Sequence, residues 1–250
     1  MLADLQIRTI NRKAFTIIEL TLVIGIISIL LSAVLYARNL LVNNKLLIIS
    51  SEYQQLKTAY FDFNMLYDAV PGDMNNAYDF FGTACGTDDV IANGGCNGDG
   101  DDSIESEDES FKSTQHMALA SLVNGEYSGD VNTGSSDDKF IKSHFDFGYF
   151  SPILDSSTET SEYRGRFDRF HYIVFGKINS AGMPYDPLLS PQQALKIDNK
   201  LDDGVMWNGI VQIRFYNAES CNGSALVLVG NYNIDDTSIL CNVLFYIDVN

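Results

Sequence analysis

Residues 12–35 read RKAFTIIELTLVIGIISILLSAVL. Two basic residues lead into an apolar run, and Glu19 is the only ionisable side chain between 15 and 35. As a helix, those 21 residues would be ~30 Å long, the thickness of a bilayer's hydrocarbon core. Arg8, Arg12 and Lys13 precede the run and predict a cytoplasmic N-terminus, with the rest of the chain outside. A cleaved secretory signal would have a shorter apolar core and a small-x-small site. Ser32-Ala33 is a poor one, and the helical pattern continues past it. A plain signal anchor accounts for the run but gives Glu19 no purpose. A carboxylate at mid-bilayer costs roughly 2.5–3.5 kcal/mol, less near an interface, and is functional by default.

The helical pattern continues beyond 35. Leu46, Ile49, Tyr53, Leu56, Tyr60, Phe63 and Tyr67 step by three and four, one apolar stripe on a helix. Lys45, Glu52, Gln55, Lys57 and Asp62 occupy the opposite face. No proline or glycine stands between Gly25 and Pro71, and Gly25 suits a bend or close helix packing. The expected division is 1–14 as a basic leader, 15–35 as a membrane half-helix, 36–70 as an amphipathic half and 71–250 as a globular head. Pro71-Gly72 marks the helix end. Residues 84–108 read as a loop, and 107–129 as a second helix ending near Asn124-Gly125, with Phe111, Leu119 and Leu122 as its buried side. Residues 128–139 form another polar loop. A third helix covers 190–204, with Ser190 as N-cap, Pro191 at N1 and Gly204 as terminator. Strands are expected at 169–178, 209–216, 225–230 and 243–249. A long helix, then loops, then strands makes an α+β protein: a helix spine laid on an antiparallel sheet.

The net charge of −17 removes the basic footprint that phosphate binding needs, so nucleic acid is not an expected partner. Four cysteines fall into two local pairs, Cys85 with Cys96 and Cys221 with Cys241. They suit two disulfides in an oxidising compartment, with free buried thiols as the alternative. No CxxC spacing supports zinc.

The stretch KAFTIIELTLVIGIISIL resembles the N-terminal signature of type IV pilins and type II secretion pseudopilins. In that family a basic leader is removed before a Phe by a membrane prepilin peptidase, which then N-methylates the new terminus. The resemblance implies cleavage between Ala14 and Phe15, N-methylation of Phe15 and an acidic fifth mature residue, Glu19. The family's leader normally ends in Gly, where this chain has Ala14. It implies a pilin-like fold, a head on the periplasmic side of the inner membrane, an inner-membrane assembly platform as partner, and self-assembly into a pilus or pseudopilus. Glu19 would then pair with the N-terminal ammonium of a neighbouring subunit and check register, since two buried charges are tolerable only when paired. AVPGDMNNAYDFF, QHMALASLVNGEYSG and IDNKLDDG are similar to head segments of bacterial pilin-like proteins. The signature is shared by pilus, secretion and competence systems.

NGDGDDSIESED, 97–108, reads as a calcium loop: Asn97, Asp99, Asp101, Ser103 and Glu105 alternate as hard oxygen donors, with Asp108 at the twelfth position. Asp102 stands where such a loop turns on Gly, and Asp108 is shorter than the usual Glu; a solvated acidic loop is the alternative. Of the histidines, His116 falls on the second helix and His171 in a strand; neither has metal spacing, and both read as structural. No P-loop, GxSxG or GxGxxG is present, so no enzymatic activity is expected. The competing function is a signal-anchored periplasmic binding module or enzyme that never polymerises.

Overall fold

The computed structural model describes residues 16–90, 95–104, 106–130, 134–154, 171–214, 220–223 and 231–247. The expected strand at 225–230, the leader 1–14, Phe15 and Glu105 lie outside them. The chain forms two compact units, Met1–Asn44 and Lys45–Asn250. One helix, α1 (Ile17–Tyr67, 51 residues), runs through both in sequence, as the uninterrupted pattern predicts.

In the first unit, Ile17–Ala37 is apolar and exposed throughout, and it is long enough to cross a membrane. A side chain placed on Gly25 would meet no atom within 4 Å, so packing inside this chain does not require glycine there.

In the second unit the helical stripe is buried: Ile49, Tyr53, Tyr60 and Phe63 have no exposure, and Leu46 and Leu56 very little. The sheet beneath has five antiparallel strands, β3 (Ile141–Lys142), β4 (Tyr149–Leu154), β5 (His171–Gly176), β6 (Val211–Ile213) and β7 (Val243–Ile247), in the order β3-β4-β5-β7-β6. Alternation sorts their side chains. Phe150, Ile173, Phe175, Val211, Val243, Phe245 and Ile247 join the α1 stripe in one core. Tyr172, Val174 and Leu244 point the other way, into a smaller cluster with Phe111, Phe140 and Met183. Both faces are thus covered, which is why β5 is buried at all six positions. The β4 strand escaped sequence reading because Pro152 sits inside it. Proline is tolerated there because β3 pairs only with Tyr149 and Phe150 and has ended before Pro152.

Besides helix α3 (Glu107–Leu119), the unit holds two short helices and a small parallel pair: α2 (Ala77–Phe81), α4 (Pro191–Leu201), β1 (Thr87–Val90) and β2 (Gly95–Asn97). The parallel pair lies where only a loop was expected. Helix α4 starts as read: the Ser190 side chain accepts from the Gln193 amide, Gln193 answers to the Ser190 amide, and Pro191 follows. Both disulfides form, Cys85–Cys96 and Cys221–Cys241, each with Cα atoms 5.1 Å apart.

Helix α3 (Glu107–Leu119) is shorter than the sequence suggests. Ser121 takes the left-handed conformation (φ 60°) just past the helix end. The Leu122 amide bonds back to the Met117 carbonyl, and the Ser121 amide to Ala118. This ends the helix before Asn124-Gly125, with serine in the place usually taken by glycine. Phe111 is buried as expected, Leu119 and Leu122 only partly.

Phe63→Ala should destabilise the protein by about 3–5 kcal/mol, since it empties the centre of the larger core. Met65→Ala, two residues along the same helix and 82% exposed, should change stability by less than about 0.5 kcal/mol. Denaturant unfolding of the two variants checks the difference.

Candidate functional site

The start of α1 is built by two residues. Thr16 donates its amide (2.9 Å) and its hydroxyl (3.0 Å) to the Glu19 carboxylate, and its hydroxyl oxygen accepts the Glu19 amide (3.2 Å). This reciprocal capping box satisfies amides that the first helical turn leaves unpaired. The T-x-x-E spacing at 16–19 was legible in sequence, but reading Glu19 only as a buried charge passed over it. The hydroxyls of Thr21, Ser28 and Ser32 donate back to the carbonyls of Ile18, Ile24 and Ser28, so each is satisfied within its own helix. Ala14 and Phe15 lie outside the described residues.

The acidic loop gathers a different set of residues from the one its linear pattern suggests. Carboxylate oxygens of Asp73, Asp99 and Asp101 lie within 4.8 Å of one another. Asp73 comes from the turn after α1, and its carboxylate accepts the amides of Gly100 (2.7 Å), Asp102 (2.7 Å) and Asp101 (3.3 Å). Burial pushes its carboxyl up to about 7, against the pull of the Gly100 and Asp102 amides. Asn97 and Asp108 do not join this group as the twelve-residue reading requires. The Asn97 side-chain oxygen accepts the Tyr78 amide (2.9 Å). Asp108 sits in the first turn of α3 and pairs with Lys112 at 2.6 Å. Ser103 is fully buried. The reason is that α3 begins at Glu107, with Ser106 and Glu109 forming its own capping box, so the end of the twelve-residue stretch is already helix. A second acidic trio, Asp198, Asp202 and Asp203, lies at the end of α4. There Asp198 accepts from the Tyr232 hydroxyl (2.7 Å) and the Gly204 amide (3.1 Å), and burial pushes it up to about 6. The Gly204 amide bond fits the expected helix end at Gly204.

The burial of helix α3 is what its sequence pattern least suggests. Every residue from 109 to 117 is buried, most of them polar. The Lys112 ammonium donates to the Asn97 carbonyl (3.0 Å). Gln115 donates to the Ser128 carbonyl (2.9 Å). His116 accepts the Gly72 amide on Nδ1 (3.0 Å) and meets the Cys96 carbonyl at Nε2 (2.9 Å). A carbonyl can only accept, so Nε2 carries the proton and the ring is neutral. His171 has the same arrangement: Nε2 meets the Asp102 carbonyl (3.1 Å) and Nδ1 the Tyr60 hydroxyl (2.6 Å), tying α1, the sheet and the acidic loop together. Burial lowers both imidazoles, His116 to about 4. His144 is exposed, 2.6 Å from Glu52.

Comparisons with protein-family models, with curated proteins and with solved structures find no match for this chain.

The neutral His116 fixes a pH dependence. Its folded pKa, about 4, lies below the unfolded value near 6.5. Above pH 6.5 both states are neutral and its contribution is intact. As pH falls from 6.5 to about 4, the unfolded chain takes a proton that the folded one refuses. Stability should drop by roughly 3 kcal/mol across that window. Asp73, raised in the folded state, contributes the opposite slope. The measurement is therefore a difference: urea unfolding of His116→Leu should show a flatter acid limb than the unsubstituted protein.

Proposed function

We propose that this protein is a structural subunit of the type IV pilin and type II secretion pseudopilin kind, membrane-anchored and then polymerised through α1. The observation that carries the reading is the contrast within one helix. Ile17–Ala37 exposes its whole apolar surface, while from Leu46 the same helix buries a single stripe against the sheet. Such an apolar surface needs a bilayer or neighbouring helices of the same kind to cover it. The α+β layout, the two disulfides and the RKAFTIIEL signature support the same reading.

On this proposal a prepilin peptidase cuts between Ala14 and Phe15 and methylates Phe15, and the head folds on the periplasmic side of the inner membrane. Glu19 then has two tasks. Within the subunit it caps the helix through Thr16. In the filament its carboxylate neutralises the Phe15 ammonium of a neighbour. An assembly platform in the inner membrane lifts the subunits out, and the apolar helices supply the cohesion that the acidic heads oppose, in a chain whose net charge is −17 before the basic leader is removed.

Mass spectrometry of the N-terminus of the cellular protein should find N-methyl-Phe15. An uncut chain in cells that contain the peptidase would overturn the proposal in favour of a signal-anchored module. Glu19→Ala should insert in the membrane normally but fail to enter filaments. Glu19→Gln should also fail, because it keeps the cap but removes the charge; normal filaments from both variants would remove the register role.

Calcium enters the proposal only through Asp99 and Asp101 beside Asp73, three carboxylates where Ca²⁺ takes six to eight oxygens. Millimolar Ca²⁺ should raise the melting temperature of the full chain but not that of an Asp99→Asn/Asp101→Asn variant. Equal melting temperatures with and without Ca²⁺ would take the ion out of the account.

A further inference from the structure

A cavity of about 640 Å³ opens between the last turn of α3 and the segment that follows it, and none of the acidic trio Asp73, Asp99 and Asp101 lines it. That volume lies within the range of small-molecule sites. Ala84, Ala118 and Leu119 line it with apolar surface, while Glu126, Asp138 and Tyr127 bring two carboxylates and an aromatic ring. None of its described lining residues is a lysine or arginine.

The walls are braced. A side chain on Gly125, whose φ is 128°, would run into the Tyr127 ring at 2.8 Å, so glycine lets that ring fold back over the chain. The Tyr127 hydroxyl then donates to the Asn124 carbonyl (3.1 Å). The Ser128 amide donates to the Asp138 carbonyl (2.9 Å), and the buried Gln115 amide group holds the Ser128 carbonyl from the helix side. Asp138 is fixed by the amide (2.7 Å) and hydroxyl (2.9 Å) of Ser135, which hold its carboxyl below the usual carboxylate range. The Gln115–Ser128 and Ser128–Asp138 bonds join helix to loop and loop to loop beside the opening, and the Tyr127–Asn124 and Ser135–Asp138 bonds fix the local turns that carry its polar groups.

We propose that this cavity is a binding site for a small organic cation with an apolar body, an alkyl- or arylammonium. The apolar body would rest on Ala118 and Leu119, and the ammonium would lie against the Tyr127 ring and between the charges of Glu126 and Asp138. Among the described lining residues an anion of the same shape meets two carboxylates and no lysine or arginine, so the site discriminates by charge. Such a site is independent of polymerisation: it would serve as a receptor or sensing pocket on the head.

The test uses the full chain in neutral detergent micelles, with protein-free micelles as the blank. Saturation-transfer NMR with phenethylammonium should give a saturable signal that isosteric phenylpropionate does not. Glu126→Gln leaves the cavity's shape and folding intact and should weaken phenethylammonium binding about 2- to 5-fold, as for one exposed charge pair. Tyr127→Leu should weaken it about 2- to 30-fold through loss of the cation–π contact. Tyr127→Phe, which keeps the ring but not the bond to Asn124, should restore most of it. Thermal unfolding of each variant reports folding separately. No saturable signal at millimolar phenethylammonium, equal binding of phenylpropionate, or unchanged affinity in a folded Glu126→Gln would each overturn the assignment.

Discussion

Burial of the α1 stripe on the sheet is the contact on which the head depends. Tyr53 stacks on Phe245 with ring centroids 4.5 Å apart, and its hydroxyl reaches the Tyr246 carbonyl at 2.8 Å. Tyr60, about two turns along, meets the His171 ring edge-on at 5.7 Å and places its hydroxyl on His171 Nδ1. Tyrosine serves here because a fully buried ring contributes a large apolar area while the hydroxyl stays bonded, so no polar group is stranded. Below the stripe, the same helix turns its whole circumference outward. One continuous helix is thus apolar all round in its first part and striped in its second.

Loops make up much of the second unit, and loop backbone away from water must find partners. Helix α3 supplies them. Lys112, Gln115 and His116 reach carbonyls and amides at Asn97, Ser128, Cys96 and Gly72, so a polar helix lies where an apolar one would leave those groups unpaired. The Cys85–Cys96 bridge holds one of the served segments in place. Phe63 and His116 lie nearly parallel with ring centroids 6.0 Å apart, so the polar helix and the apolar stripe meet at one point. That contact explains why the neutral state of His116 matters to the whole unit: a charged ring would face Lys112 and the aromatic core together.

Glu19 shows how one side chain can answer to two constraints. A capping box explains a Glu at the third position of any helix that starts on Thr16, without reference to a membrane or a filament. A capping role alone does not require charge, whereas neutralising an ammonium does. On the proposed reading the two roles are compatible because both Thr16 donors go to one Glu19 oxygen, and a carboxylate has a second oxygen to offer a neighbouring subunit's ammonium.

The apolar run, the three-four stripe and the caps of α4 were determined by the sequence alone, since each depends on residues within a few positions of one another. Glu19, Ser190 and the cysteine pairs were legible for the same reason. The strand containing Pro152 was not, because what permits a proline there is the early end of a neighbouring strand. Nor was the grouping of Asp73 with Asp99 and Asp101 legible, because the turn after α1 and the acidic loop are distant in the chain. The burial of α3 was hidden for a sharper reason. Periodicity counts apolar residues, but what buries this helix is the hydrogen-bonding demand of backbone elsewhere. Local pattern set the elements of this protein; only tertiary structure decided which polar groups had to be brought inside to satisfy its loops.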